Sequence, residues 1–87
     1  MKGKRIIVSP HARFEMHRRG IALSEMIATI RHPDQVVRSE KGREIRQSLL
    51  GARRRMLLRV VVKETGSAYY VVTAYKSSKI TKYWQPS

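Results

Sequence analysis

At His32-Pro33 the hydrophobic pattern of the chain changes period, and that break dictates a fold made of two unlike parts. Before it, Leu23, Met26, Ile27 and Ile30 recur at the i, i+3, i+4, i+7 spacing of an amphipathic helix. Pro33 stops that helix, because its ring pushes His32 out of helical geometry. After it, Met56, Leu58, Val60 and Val62 alternate along one side of a strand over Met56–Glu64, with Arg59 and Lys63 on the other side. Helices first and consecutive strands afterwards predict the α+β class. Two N-terminal helices pack on one face of a mostly antiparallel four- to five-stranded sheet, and the other face is left free for a ligand.

The remaining elements fit this frame. Arg5-Ile6-Ile7-Val8 reads as a short opening strand or an extended arm. Ser9-Pro10 is a helix start, a serine cap followed by proline at the first helical position, and Gly20 is a helix stop. Ser24 is the expected cap of the second helix. Gln35–Glu40 and Arg43–Leu50 pair around Lys41-Gly42, and Thr65-Gly66-Ser67 turns the chain into a strand over Ala68–Lys76. Along that strand Tyr69, Val71, Thr73 and Tyr75 are expected on one face. Ile80–Trp84 is expected as a short edge strand or terminal arm.

The chain has 87 residues, the size of one domain spanning 1–87. It carries 19 Lys and Arg against 6 Asp and Glu, a formal net charge of +13. These cations run from Lys2 to Lys82, so the charge belongs to the folded body rather than to a tail. A polyanion or an acidic protein partner would relieve the self-repulsion, and phosphate contacts would make binding steeply salt-dependent. With no cysteine, disulfide staples and thiolate metal sites are excluded. The apolar runs are too short for a signal peptide or a membrane span, which points to a cytoplasmic protein with no membrane partner.

The candidate chemistry is metal-free and cofactor-free. His11, His17 and His32 are too scattered for a tetrahedral metal site, and no carboxylate pair resembles an acid/base dyad. RNA scission needs neither: the ribose 2′-hydroxyl attacks the neighbouring phosphate, a base takes its proton, an acid protonates the departing 5′ oxygen, and cations stabilise the charge on phosphorus. His11 stands at the opening of the first helix, where the plain reading is an exposed histidine without a role. Arg18-Arg19 closes that helix and complements its dipole, with phosphate clamping as the functional alternative. Arg53-Arg54-Arg55 is either a solvated hairpin tip or a phosphate-binding one; the overall charge favours phosphate. Tyrosines on strands usually pack. Thr73 and Tyr75 nonetheless lead into Lys76-Ser77-Ser78-Lys79, which gathers hydroxyls and ammonium groups at one strand end, and Tyr75 or Trp84 offers a stacking surface for a base.

Taken in order, these motifs carry a resemblance. Ser9-Pro10-His11-Ala12, Met16 and Arg19-Gly20-Ile21, then Leu23-Ser24-Glu25, His32-Pro33 and Asp34-Gln35-Val36-Val37, then Val71-Val72-Thr73-Ala74-Tyr75 with Lys79 and Tyr83, resemble a family of small bacterial domains of uncharacterised function. That family is related to the RelE and BrnT toxins, although the opening Trp-Asp segment of BrnT-type toxins is missing here. The resemblance implies the RelE-like, barnase-like ribonuclease fold. It implies His11, Arg19, Thr73 and Tyr75 as site residues, with Arg46 as a further one.

Three functions follow as expectations. The first is the toxin of a toxin–antitoxin pair, acting as a metal-independent endoribonuclease on RNA, including ribosome-bound mRNA, and held by a small antitoxin. Here His11 and Tyr75 would exchange protons, Arg19 and Arg46 would stabilise phosphate, and Arg53, Arg54, Arg55, Lys76, Lys79 and Lys82 would guide the RNA. The second is a non-catalytic basic RNA-binding module. The third is a ParE-like toxin that inhibits a protein target. Fold kinship alone does not choose among them.

Overall fold

The computed structural model describes residues 4–51, 53 and 55–86. The chain forms β1 (Arg5–Val8), α1 (Pro10–Arg18), α2 (Leu23–Arg31), β2 (Gln35–Arg38), β3 (Arg43–Leu50), β4 (Met56–Glu64), β5 (Ala68–Ser77) and α3 (Ile80–Tyr83). The five strands make one sheet in the order β1-β5-β4-β3-β2. β2, β3, β4 and β5 pair antiparallel in sequence, and β1 lies parallel to β5, with Val8 opposite Val71. The architecture is the expected α+β one, with two helices before a mostly antiparallel sheet. No described helix is long and apolar enough to cross a membrane.

Local chemistry accounts for the element ends. The Ser9 hydroxyl accepts the Ala12 N–H at 3.0 Å, and Pro10 starts α1. Gly20, at φ +66°, supplies the left-handed turn that closes this helix. The cap of α2 differs from expectation: it is Ala22, and the Glu25 carboxylate accepts the Ala22 N–H at 3.1 Å, so the glutamate alone serves the open helix end. A short 3-10 turn at Glu40–Gly42, with Lys41 and Gly42 both at positive φ, joins β2 to β3.

The core lies between the helices and one sheet face. Ala12 and Met16 of α1, Ile21, and Met26 and Ile30 of α2 pack against Leu58, Val60, Val62, Val71 and Ala74. Each fully buried Val, Leu, Ile or Met side chain among them contributes about 1.5–3 kcal/mol. The expected helical stripe is therefore real in Met26 and Ile30, with Ile27 packed at the margin, while Leu23 is exposed.

One irregularity sets what faces where. Thr73 pairs with Val61, but Val71 pairs with Val62, so Val72 is an extra residue in β5. This bulge reverses the alternation. Tyr69 and Val71 pack with the helix-side core, whereas Thr73 and Tyr75 stand opposite Val61 and Arg59 on the far face. The expectation that Tyr69, Val71, Thr73 and Tyr75 share one face is corrected on this account. A second correction concerns Ile80–Trp84, which forms the one-turn helix α3 and its exit rather than a strand.

Candidate nucleic-acid interface

The far face of the sheet is built around a buried cation. Arg59, in the middle of β4, is 6% exposed. Its Nε donates to Gln47 Oε1 at 2.9 Å and its Nη1 to the Tyr75 hydroxyl at 2.6 Å. The Tyr83 ring covers the guanidinium, with 4.0 Å from its central carbon to the ring centroid, and Tyr75 and Tyr83 meet edge to face at 6.4 Å. None of the six side-chain carboxylates forms a salt bridge with Arg59 among the described residues. A guanidinium removed from water is stable only when its donors are met. Here Nε and Nη1 go to neutral oxygens and the face lies against a π ring, so the positive charge stays uncancelled. Such a centre is suited to an anion, above all to the oxygens of a phosphate.

Cations stand at both ends of this face. Leu57 pairs with Ser77 and Leu50 with Met56, so the turn between β3 and β4 lies at the same sheet end as the exit of β5 into α3. That brings the exposed Arg53 and Arg55 to the end occupied by Lys79. Lys82 follows on α3, its ammonium 5.3 Å from the Tyr83 ring centroid. Arg54 lies outside the described residues. At the opposite end the exposed Arg43 and Lys63 are register partners on this same face, while Glu44 and Glu64 pair with Arg46 and Lys4 on the helix side.

The residues expected to form a catalytic set fall into three places. His11, Glu15 and Arg19 follow one another at helical i+4 spacing on α1. Arg19 bonds Glu15 at 3.0 Å and donates to Thr73 Oγ1 at 3.3 Å and to the Ala74 carbonyl at 2.8 Å. It reaches them because β1 pairs with β5 only as far as Val71, which leaves the edge of β5 open beyond that point. The Glu15 carboxyl is held below its ordinary value, first by the hydrogen bond from Arg18 and then by the charges of Arg18, Arg19 and His11. His11 is exposed in the helical layer. Tyr75 projects from the other side of the sheet, so imidazole and phenol do not meet across one substrate.

Arg46 forms the third place. It donates to the Ile30 carbonyl at 2.7 Å, pairs with Glu44 at 3.2 Å, and lies 4.6 Å from the Tyr69 ring centroid. It thereby closes the C-terminal end of α2, where a cation complements the exposed carbonyls. Lys76 is likewise engaged on the helix side, with its ammonium on the Gly20 carbonyl at 3.2 Å and Glu25 at 3.4 Å. The residues that sequence reasoning did not single out are Arg59, Gln47 and Tyr83. A signal for Arg59 was present: Leu57 and Val61 flank it on its own side of β4, and an arginine between two aliphatic residues on one strand face marks a covered face.

A search of curated proteins finds no match. Among solved structures, the chain is similar to the crystal structure of the Brucella abortus ribonuclease toxin BrnT. The TM-score is 0.63 at 15% sequence identity, over 88% of this chain and 100% of that one. This likeness concerns the fold. The sequence profile of a family described as Domain of unknown function (DUF4258) matches residues 8–76, from the last residue of β1 almost to the end of β5. With α1, α2, the bulge of β5 and Arg59 all inside a match that covers most of the chain, the chain belongs to the DUF4258 family.

Proposed function

We propose that this protein is an RNA-directed toxin, a metal-independent endoribonuclease that works on the far face of its sheet rather than in its helical layer. The observation that carries the reading is Arg59, a buried guanidinium without a carboxylate, joined to the Tyr75 hydroxyl. In this reading Arg59 holds the scissile phosphate and stabilises the charge that grows on it when the 2′-hydroxyl attacks. The 2′ oxygen bonds to phosphorus and its proton passes to solvent. The bond from phosphorus to the 5′ oxygen breaks, and Tyr75 protonates that oxygen. Lys79, Lys82, Arg53 and Arg55 steer the strand, and Arg19 with Thr73 waits at the open edge of β5. The fold shared with a ribonuclease toxin supports the class, and the net charge of +13 supports both a polyanionic target and a small acidic antitoxin as the restraining partner.

The test is incubation of the purified protein with end-labelled RNA in a chelating buffer, with and without ribosomes. The expected result is scission leaving a 2′,3′-cyclic phosphate. Intact RNA in both arms overturns it.

A second reading, binding without scission, is favoured by one observation: His11 lies in the helical layer, away from the face that holds Tyr75. It predicts tight, salt-sensitive RNA binding in the same assay and no cleavage products.

A further inference from the structure

The C-terminal segment that covers Arg59 is tied down by amides, and none of its side chains is fully buried. The Gln35 side chain pairs with the backbone of Gln85 twice, its Nε2 donating to the Gln85 carbonyl at 2.7 Å and its Oε1 accepting the Gln85 N–H at 2.9 Å. Gln47 Nε2 donates to Gln35 Oε1 at 2.9 Å and to the Tyr83 carbonyl at 3.2 Å. The Oε1 of that same Gln47 accepts from Arg59. One hydrogen-bonded relay thus runs from the segment through two glutamines to the guanidinium. Gln35 and Gln47 are themselves a register pair on β2 and β3. The segment lies outside the stretch matched by the family profile, which ends at residue 76.

We propose that Ile80–Gln85 is a strap that closes the Arg59 site and opens for RNA. The inference rests on the reading of that site given above. A phosphate engages guanidinium through its N–H edge. In the closed form Gln47 occupies Nε and Tyr75 occupies Nη1, Tyr83 covers a face, and only 6% of the residue reaches solvent. So little of the guanidinium reaches solvent that a phosphodiester gains room beside it when Tyr83 lifts away. The bonds that hold the strap are exchangeable side-chain amide bonds at an exposed rim. Opening costs affinity in proportion to how rarely the open form is populated. Weakening the latch should consequently tighten RNA binding, the reverse of what loss of an RNA-contacting residue does.

Trp84, at the C-terminal cap of α3 and the single tryptophan of the chain, reports on the strap. A fluorescein-labelled single-stranded RNA of ten nucleotides is titrated with wild type, Gln35→Ala and Gln85→Pro, following RNA anisotropy and Trp84 emission together. Gln85→Pro removes the N–H donor to Gln35, and Trp84 at ψ 127° already has the extended geometry that a following proline demands. The expected result is binding about fivefold tighter in both variants, with Trp84 more open to acrylamide quenching before RNA is added. RNA that binds wild type and variants equally, or the variants more weakly, overturns the strap. RNA that binds none of the three overturns the reading of the Arg59 site itself. Binding by the variants but not by wild type supports both.

Discussion

Arg59 Nη1 donates to the Tyr75 hydroxyl at 2.6 Å from a directly paired position on the neighbouring strand, so charge and phenol are presented as one unit. The proposed chemistry depends on this pairing. It joins the group that holds a phosphate to the group that can protonate a leaving oxygen, and it leaves the imidazole of His11 outside.

A first prediction concerns pH. With Tyr75 as acid and solvent as the acceptor of the 2′ proton, the cleavage rate should climb steadily through the neutral range. A histidine base would instead bend the profile, and that bend would vanish with the imidazole. Rates measured from pH 5.5 to 8.5 decide this. A plateau above pH 7 that disappears in His11→Ala would return the imidazole to the mechanism.

A second concerns salt. Each phosphate contact on single-stranded nucleic acid contributes a slope of about −0.7 in log K against log salt. Arg59→Met keeps most of the buried volume and removes the charge. It should weaken RNA binding and make the slope shallower by about 0.7. An unchanged slope would mean that Arg59 contacts no phosphate.

A third concerns the bulge. Deleting Val72 removes the extra residue, so Val71 and Thr73 become neighbours in an unbroken ladder and Thr73, Ala74 and Tyr75 keep the faces they have. The deletion variant should therefore keep cooperative thermal unfolding and a native-like amide spectrum. Loss of cooperative unfolding would show that the strand does not pair in this register.

A fourth concerns stability. The Ser9 hydroxyl is the side-chain cap of α1, so Ser9→Ala should cost about 1 kcal/mol and lower Tm by roughly 4–8 °C. At low pH a different group responds. The Glu64 carboxyl is held below its ordinary value of 4.5, chiefly by the hydrogen bond from Lys4, with the charges of Lys4 and Arg46 adding to it. Because the folded value is depressed, this stabilisation is complete well above 4.5 and is lost as pH falls through the folded value. Glu64→Gln should therefore be less stable than wild type at neutral pH and lose less on acidification below 4.5. Parallel stability curves for the two proteins from pH 7 to 3 would contradict the assignment.

How much of this was legible in the sequence follows from the range of the forces involved. Ser9-Pro10, Gly20, His32-Pro33 and Lys41-Gly42 act on their own backbone, so helix starts, helix stops and the tight β2–β3 turn could be read directly. The facing of Tyr75 could not. One added residue opposite a regular strand leaves no mark in a run such as Val71-Val72-Thr73, where either parity looks sensible. The parallel pairing of Arg5–Val8 with Ala68–Val71 is non-local, and local pattern does not reveal it. Ile80–Tyr83 is too short to show a helical period. Arg59 was read as one of two outward-facing cations on its strand, since Lys63 shares its side. Leu57 and Val61 on its own side mark the face as covered, but that the cover is α3 folding back over it is non-local and no local pattern announces it.

The most direct test of the account is the single-turnover cleavage rate of one RNA substrate, in chelator, by Arg59→Met, Tyr75→Phe and His11→Ala side by side. The account predicts loss of about 10²-fold or more in the first two and a rate within a few-fold of wild type in the third. A crippled His11→Ala beside an active Tyr75→Phe would contradict it and move the chemistry back to the helical layer.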